Sequence, residues 1–142
     1  MDSDFFLRYL DAWNRHAIDE VLGFLTDDCT YGDVALNEFH TGKQAIRDFF
    51  THMGEQFSSD YRFEPGFTVV TEHGYALEWA MQGTHDRSSP QLAATRKPYA
   101  IRGASVGELR DGKIARNTDY WSLGELLVQV GLMPEPGPAR PE

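Results

Sequence analysis

Four side chains in this sequence are suited to moving protons: the carboxylates of Asp33 and Asp119, the imidazole of His85 and the phenol of Tyr9. A pocket lined by apolar and aromatic groups disfavours an ionised carboxylate. The pKa of such a carboxylate therefore rises toward the range useful for taking and returning protons near neutrality. Removing a proton next to a carbonyl also needs donors for the enolate oxygen, which Tyr9 or His85 could supply without metal or cofactor. Side chains of these types could therefore carry out acid–base catalysis, for example proton transfer next to a carbonyl group.

Each of the four residues also has a purely structural interpretation. Asp119 could pair with a neighbouring arginine as a structural charge of the sheet, and His85 could be a strand-end histidine satisfied by a backbone carbonyl. Tyr9 could be a core or surface tyrosine of a helix, and Asp33 could be a turn carboxylate. The geometry of the folded chain must decide between the two interpretations.

The elements that position these residues change from helical to strand periodicity along the chain. Apolar residues at helical spacing predict helices over residues 3–14 and 18–25, and a third helix beginning near Gly42. Thr41 and Gln44 have the spacing of a capping box for that third helix. Asp33 falls in the short irregular or strand-like passage, residues 31–33, that precedes it.

Alternating residues then predict four strands, over residues 61–70, 75–85, 99–109 and 113–121. The last two are joined by Asp111-Gly112, the dipeptide preferred by type I′ hairpin turns. Residues 86–97 are predicted to form a polar loop that covers one end of the sheet as a flap. Ser122 and Glu125 predict a capped closing helix ending at Gly131, and the tail 133–142 is expected to be disordered.

Length and charge narrow the possible functions. The chain has 142 residues, which fits a single domain over residues 1–132. A net charge of −9 opposes binding to nucleic acid or an anionic membrane. No signal peptide or membrane-spanning run is visible, and Cys29 is the single cysteine, so a cytoplasmic location is expected. The remaining histidines show no ligand spacing, so neither a metal site nor a cofactor is expected.

Helices followed by antiparallel strands are the α+β pattern, and a sheet curled around the helices would enclose a cone-shaped pocket. The chain has enough aromatic residues to line such a pocket. The residues expected to contact a substrate there are Trp13, Tyr31, Trp79, Met81, Ser105 and Trp121.

The pattern up to about residue 132 resembles the nuclear-transport-factor-2-like (NTF2-like, cystatin-like fold) superfamily, whose members are cone-shaped domains and commonly homodimers. Trp79, residues 83–85, residues 111–114 and residues 127–131 resemble the SnoaL-like polyketide cyclases. In that family a carboxylate on the last long strand works with a histidine on an earlier strand. The resemblance places these roles at Asp119 and His85, with Arg87 standing where a glycine is usual.

The front half is similar to the ketosteroid isomerases, through residues 8–9, 14, 27–28, 30, 33, 38, 42 and 45–47. This resemblance implies that Tyr9 is the oxyanion donor and Asp33 the proton-shuttling base. The second oxyanion donor of that family, a protonated aspartate, falls near Ser105 here.

Residues 118–121 are also similar to a motif of limonene-epoxide-hydrolase-like members, but the Arg-x-Asp unit of that group is missing. The expected function is therefore aldol-type cyclisation or isomerisation of a hydrophobic carbonyl compound without a cofactor. Epoxide hydrolysis, and a non-catalytic role in binding apolar ligands or in dimerisation, are the alternatives. The expected partners are the substrate and a second copy of the chain bound through the sheet.

Overall fold

A computed structural model of the protein describes residues 4–135. The predicted tail therefore lies, from residue 136 onward, outside the described residues. The described chain forms four helices and six strands, which in chain order are α1 (Asp4–Asn14), α2 (Ile18–Gly23), β1 (Leu25–Asp33), β2 (Glu38–Thr41), α3 (Lys43–Gln56), β3 (Arg62–Val70), β4 (Gly74–Thr84), β5 (Pro98–Arg110), β6 (Lys113–Trp121) and α4 (Leu123–Gln129).

The helices form where the apolar period predicts them. The inner side of α1 buries Phe6, Tyr9, Leu10 and Trp13 at helical spacing. Helix α2 is shorter than predicted, because Leu25 begins β1 instead of ending the helix. None of the helices in the described part of the chain is long and apolar enough to cross a membrane.

The strands form one sheet in the order β2-β1-β6-β5-β4-β3. All neighbouring pairs are antiparallel except β1 and β6, which run parallel. The predicted β5–β6 hairpin is confirmed, since Asp111 and Gly112 have φ angles of 53° and 75°, as a type I′ turn requires. The helices cover the concave face, so the α+β, mostly antiparallel NTF2-like fold is confirmed.

The region between α2 and α3 differs from the prediction. Residues 31–33 are the end of a nine-residue strand, β1, which pairs with the short strand β2. The capping box is also wrong: the N-cap of α3 is Gly42, which has φ 90° and makes no side-chain cap bond. Thr41 stays in β2, where its hydroxyl lies 3.2 Å from that of Thr30.

The capping predicted for the last helix is confirmed. Ser122 caps α4 by accepting a hydrogen bond from the amide of Glu125 at 3.1 Å.

Candidate active site

A cavity of about 260 Å³ lies between the concave face of the sheet and the apolar sides of α1, α3 and α4. Its lining is almost entirely apolar and aromatic, and among the described residues that line it none is Lys, Arg or His. All six residues expected to contact a substrate belong to this lining, as do three of the four candidate catalytic residues: Trp13, Tyr31, Trp79, Met81, Ser105, Trp121, Tyr9, Asp33 and Asp119.

Asp119 lies on the inner face of β6 and accepts three hydrogen bonds. The Tyr31 hydroxyl donates to Oδ2 at 2.6 Å. Ser105 Oγ donates to Oδ1 at 2.6 Å, and Asn117 Nδ2 donates to the same oxygen at 2.8 Å. The sheet register brings the first two donors there, because Ser105 faces Asp119 across β5 and β6, while Tyr31 lies on the other neighbouring strand. Among the described residues no arginine bonds to Asp119. The geometry therefore does not support the interpretation of Asp119 as a structural charge paired with an arginine of the sheet.

Two further side chains orient these donors. Trp79 Nε1 donates to Ser105 Oγ at 2.9 Å, which leaves the Ser105 proton directed at Asp119. The Tyr75 hydroxyl donates to Asn117 Oδ1 at 2.5 Å, which fixes the Asn117 amide with its NH₂ group toward the carboxylate. Trp79 keeps its place because Gly103 lies beneath its ring: a Cβ at position 103 would lie 2.4 Å from the Trp79 ring. The carboxylate thus ends a network whose members all donate toward it.

The surroundings raise the pKa of Asp119 from 3.8 to about 6. Burial is the main cause, because it penalises the charged carboxylate, and the nearby Asp33 adds to it. The three donors act in the opposite direction and keep the pKa from rising further. A carboxyl group with this pKa is mostly ionised at neutral pH and still basic enough to accept a proton.

Asp33 lies beside Asp119, opposite it in the parallel β1–β6 pair. It is 3% exposed and accepts hydrogen bonds from Trp121 Nε1 at 3.0 and 3.1 Å and from the Leu36 amide at 3.0 Å. Burial raises its pKa, and these donors oppose the rise. Asp33 therefore does bond a turn amide, as its structural interpretation expects, and it also lines the cavity.

Tyr9 lines the same cavity from α1. Its hydroxyl is buried and has no hydrogen-bond partner of good geometry among the described residues, although Trp13 and Tyr31 lie close enough to interact weakly. Burial, followed by the charge of Asp119, raises the pKa of Tyr9. The phenol therefore keeps its proton, and a ligand oxygen in the cavity could accept it.

His85 is not brought to Asp119. It is buried on the inner face at the end of β4, as its alternation predicts, but it is not among the lining residues. Its Nδ1 atom lies 3.0 Å from Thr95 Oγ1, and its ring stacks on Phe57 with centroids 4.5 Å apart. The expected pairing of His85 with Asp119 is therefore wrong, because β4 extends past the cavity before His85 is reached.

Sequence reasoning missed several contributors to the site, among them Asn117 and Leu36. Asn117 was not singled out, although it lies on the inner face of β6 two residues before Asp119. Leu36 lines the cavity from the β1–β2 connection, which was not predicted as a hairpin. Among residues 4–135, no group of three His, Cys, Asp or Glu side chains is placed to hold a metal ion.

Comparisons with known proteins agree with this fold. The family model described as SnoaL-like domain matches residues 6–117. A protein from Catenulispora acidiphila with a ketosteroid isomerase-like fold, crystallised with trimethylamine, is similar at TM-score 0.81 and 19% identity, covering 97% of this chain and 100% of that one. A search of curated proteins gave no match.

Two candidate polyketide cyclases are also similar in structure. The one from Xanthomonas campestris pv. campestris has TM-score 0.78 and 25% identity, over 90% of this chain and 95% of that one. The one from Silicibacter sp. has TM-score 0.75 and 29% identity, over 89% and 92%.

Proposed function

We propose that this chain, which belongs to the SnoaL-like domain family, is a cofactor-independent enzyme that moves a proton next to a carbonyl group of a hydrophobic small molecule. The family match and the structural similarity to candidate polyketide cyclases support a small-molecule enzyme or binding protein of the NTF2-like superfamily. The observation that carries the enzymatic proposal is Asp119, a carboxylate that faces an apolar cavity with its pKa raised to about 6.

In the proposed first step, ionised Asp119 takes a proton from the carbon next to the substrate carbonyl. The electron pair of the broken C–H bond moves to the carbonyl oxygen and gives an enolate. The Tyr9 hydroxyl, buried without a partner in the cavity, donates a hydrogen bond to that oxygen. The donors on Asp119 hold its carboxylate in place, so little reorganisation is needed when its charge changes.

Two outcomes complete the reaction. Protonated Asp119 can return its proton to a different carbon of the enolate, which isomerises the substrate. Alternatively, the enolate carbon attacks a second carbonyl carbon in the same molecule, and the proton of Asp119 passes to the new alkoxide, which closes a ring. Asp33 is the second carboxylate of the site, and its negative charge helps to keep Asp119 basic.

The experiment that tests the proposal is proton exchange at the carbon next to a carbonyl. Hydrophobic ketones such as 2-tetralone are incubated with the protein in D₂O, and the loss of the α-proton signal is followed by NMR. We expect exchange above the buffer rate, and a loss of about a hundredfold or more in Asp119→Asn. Glu78→Gln, which removes an exposed carboxylate on the other face of β4, is the matched control and should keep the wild-type rate.

Full exchange activity in a folded Asp119→Asn variant would rule out its role. Tight binding of ketones with no exchange in the wild-type protein would favour the non-catalytic ligand-binding alternative. Epoxide hydrolysis gains no support from the geometry, because no arginine reaches Asp119 or lines the cavity in the described part of the chain.

We also propose that two copies of the chain associate through the outer face of the sheet. Large apolar side chains are exposed on that face, with Phe67 at 70%, Tyr120 at 50% and Val69 at 45%. The register places Val69 in one row with Ala76, Val106 and Thr118 across four strands. A contiguous apolar surface of this kind is typical of a protein interface.

A further inference from the structure

The segment 86–97 connects β4 to β5 and contributes Leu92 to the lining of the cavity. Its returning end is fastened to His85 through the backbone on both sides. The His85 amide donates to the Lys97 carbonyl at 3.0 Å, and the Arg96 amide donates to the His85 carbonyl at 2.8 Å. This connection is the segment for which the sequence predicted a flap, and His85 lies at the point where it leaves β4.

The imidazole of His85 adds a third attachment, and that attachment defines its protonation state. The Thr95 amide donates to His85 Nδ1 at 3.1 Å. Because a backbone amide only donates, Nδ1 must be an acceptor, so the ring is neutral and carries its proton on Nε2. Nε2 is buried and has no partner among the described residues, while the ring stacks on Phe57, which itself lines the cavity.

The backbone next to this attachment is held in an uncommon conformation. Arg96 has a φ angle of 61°, in the left-handed region that residues other than glycine seldom adopt. Such a conformation persists only where the surrounding bonds hold it. The two hydrogen bonds from the amides of Thr95 and Arg96 to His85 provide that restraint.

We propose that His85 is a positioning residue that holds the segment 86–97 against the cavity while its ring is neutral, and that protonation of the ring releases the segment and opens the cavity. When Nδ1 is protonated it becomes a donor, and the Thr95 amide that faces it is also a donor. The hydrogen bond between them would therefore be lost, and the two N–H groups would repel each other. The segment would then be held to His85 only by the two backbone hydrogen bonds of Arg96 and Lys97. This inference concerns access to the cavity and does not depend on the chemistry proposed for Asp119.

The electrostatics around the ring favour the neutral, closed state. Burial lowers the pKa of His85 below its ordinary value of 6.5, and the charge of Asp86 opposes this only in part. Asp86 is itself occupied, since its Oδ1 accepts a hydrogen bond from the Ser59 amide at 2.9 Å. Other titratable or charged groups beside these contacts are Arg87, Arg96 and Lys97 in the segment, Asp60, which bonds the Thr84 amide at 2.8 Å, and Tyr99, whose ring lies 5.7 Å from that of Phe57.

The sign of the pH dependence follows from that lowered pKa. The closed state binds the proton of His85 less tightly than the open state does. The stability of the closed state relative to the open state is therefore complete above about 6.5 and falls as the pH drops below that value. Opening should accordingly increase between pH 7 and pH 5.

The test uses the uncharged fluorescent dye N-phenyl-1-naphthylamine, which enters apolar cavities, in stopped-flow binding between pH 8 and pH 5. We expect its association rate to rise by about tenfold toward pH 5, the change that the loss of one buried hydrogen bond gives. Hydrogen exchange over residues 87–95, corrected for the intrinsic pH dependence, should rise in parallel, while residues 46–50 of α3 serve as the internal reference. Each measurement is repeated in Asp119→Asn, because Asp119 titrates in the same pH range.

Three variants separate a positioning role from a merely structural one. His85→Asn places an amide oxygen near the position of Nδ1, so it should bind the dye slowly at every pH. His85→Leu lacks the acceptor and should bind it fast at every pH. His52→Asn, which removes an exposed histidine of α3, should keep the wild-type pH profile.

A wild-type association rate that does not change with pH would overturn the proposal, as would a pH dependence that survives in His85→Asn. If His85→Leu does not fold, the comparison of the wild-type protein with His85→Asn still decides. Failure of this test would leave the ketone exchange test of Asp119 untouched, because dye entry requires no chemistry.

Discussion

Replacing Asp119 with asparagine should stabilise the protein at neutral pH while removing its proposed activity. The rise in the pKa of Asp119 from 3.8 to about 6 corresponds to about 3 kcal/mol of free energy lost when the buried group ionises. Asparagine is neutral at every pH and does not incur that loss. Its amide also fits the network, because its oxygen can accept from Ser105 and Asn117 while its NH₂ group donates to the Tyr31 hydroxyl, which can rotate to accept.

The sign and the pH window of this effect can be stated in advance. The folded-state pKa of Asp119 lies above its ordinary value, so the folded chain binds that proton more tightly than the unfolded chain does. The stability that this gives the wild-type protein is complete below 3.8 and is lost as the pH rises through about 6. Asparagine does not titrate, so Asp119→Asn loses no stability at this position as the pH rises. The free energies of unfolding of the wild-type protein and the variant should therefore diverge over that pH range.

Urea denaturation at several pH values between 4 and 8 measures this divergence directly. We expect the free energies of unfolding of wild-type protein and Asp119→Asn to be nearly equal at pH 4 and to differ by about 3 kcal/mol at pH 7, with the variant more stable. Glu72→Gln, at an exposed carboxylate in the β3–β4 turn, is the control and should keep the wild-type free energy of unfolding. A variant less stable than wild-type protein at pH 7, or a difference that does not change with pH, would refute the argument.

Three further predictions concern single side chains. Tyr9→Phe should leave the free energy of unfolding unchanged or raise it by about 1 kcal/mol, since the removed hydroxyl is buried with no well-placed hydrogen-bond partner among the described residues. It should still lower the ketone exchange rate by about tenfold. Ser122→Ala should lower the free energy of unfolding by about 1 kcal/mol in urea, because the N-cap bond to Glu125 is lost. Phe67→Lys should shift the chain from dimer to monomer in analytical ultracentrifugation without loss of folding, and an unchanged sedimentation coefficient would count against the proposed interface.

Local patterns in the sequence predicted most of the fold. In β4 the alternation of apolar and polar residues correctly predicted that Tyr75, Leu77 and Trp79 face inward. One face of a strand is buried, so every second residue in the sequence is apolar. The turn at Asp111-Gly112 was equally secure, since few residues tolerate the positive φ angles that it needs. These features depend on neighbours in the chain.

Features that depend on distant parts of the chain could not be predicted in the same way. The parallel pairing of β1 with β6 joins residues 86 positions apart, such as Asp33 and Asp119, and no local pattern encodes it. The apparent capping box of Thr41 and Gln44 failed because Thr41 belongs to β2, a strand too short to leave a clear pattern. His85 was placed on the correct face, but its distance from Asp119 depends on where the cavity ends along β4.

Gly103 links two properties of the site that would otherwise be independent. The ring of Trp79 forms part of the cavity wall and lies where a side chain at position 103 would be. The same indole donates to Ser105, which in turn donates to Asp119. Any substitution that moves Trp79 to reshape the cavity therefore also frees the Ser105 hydroxyl and changes the proton affinity of Asp119. Substitutions at this wall that change which ketones the cavity accepts should thus also shift the pH dependence of the proposed proton exchange.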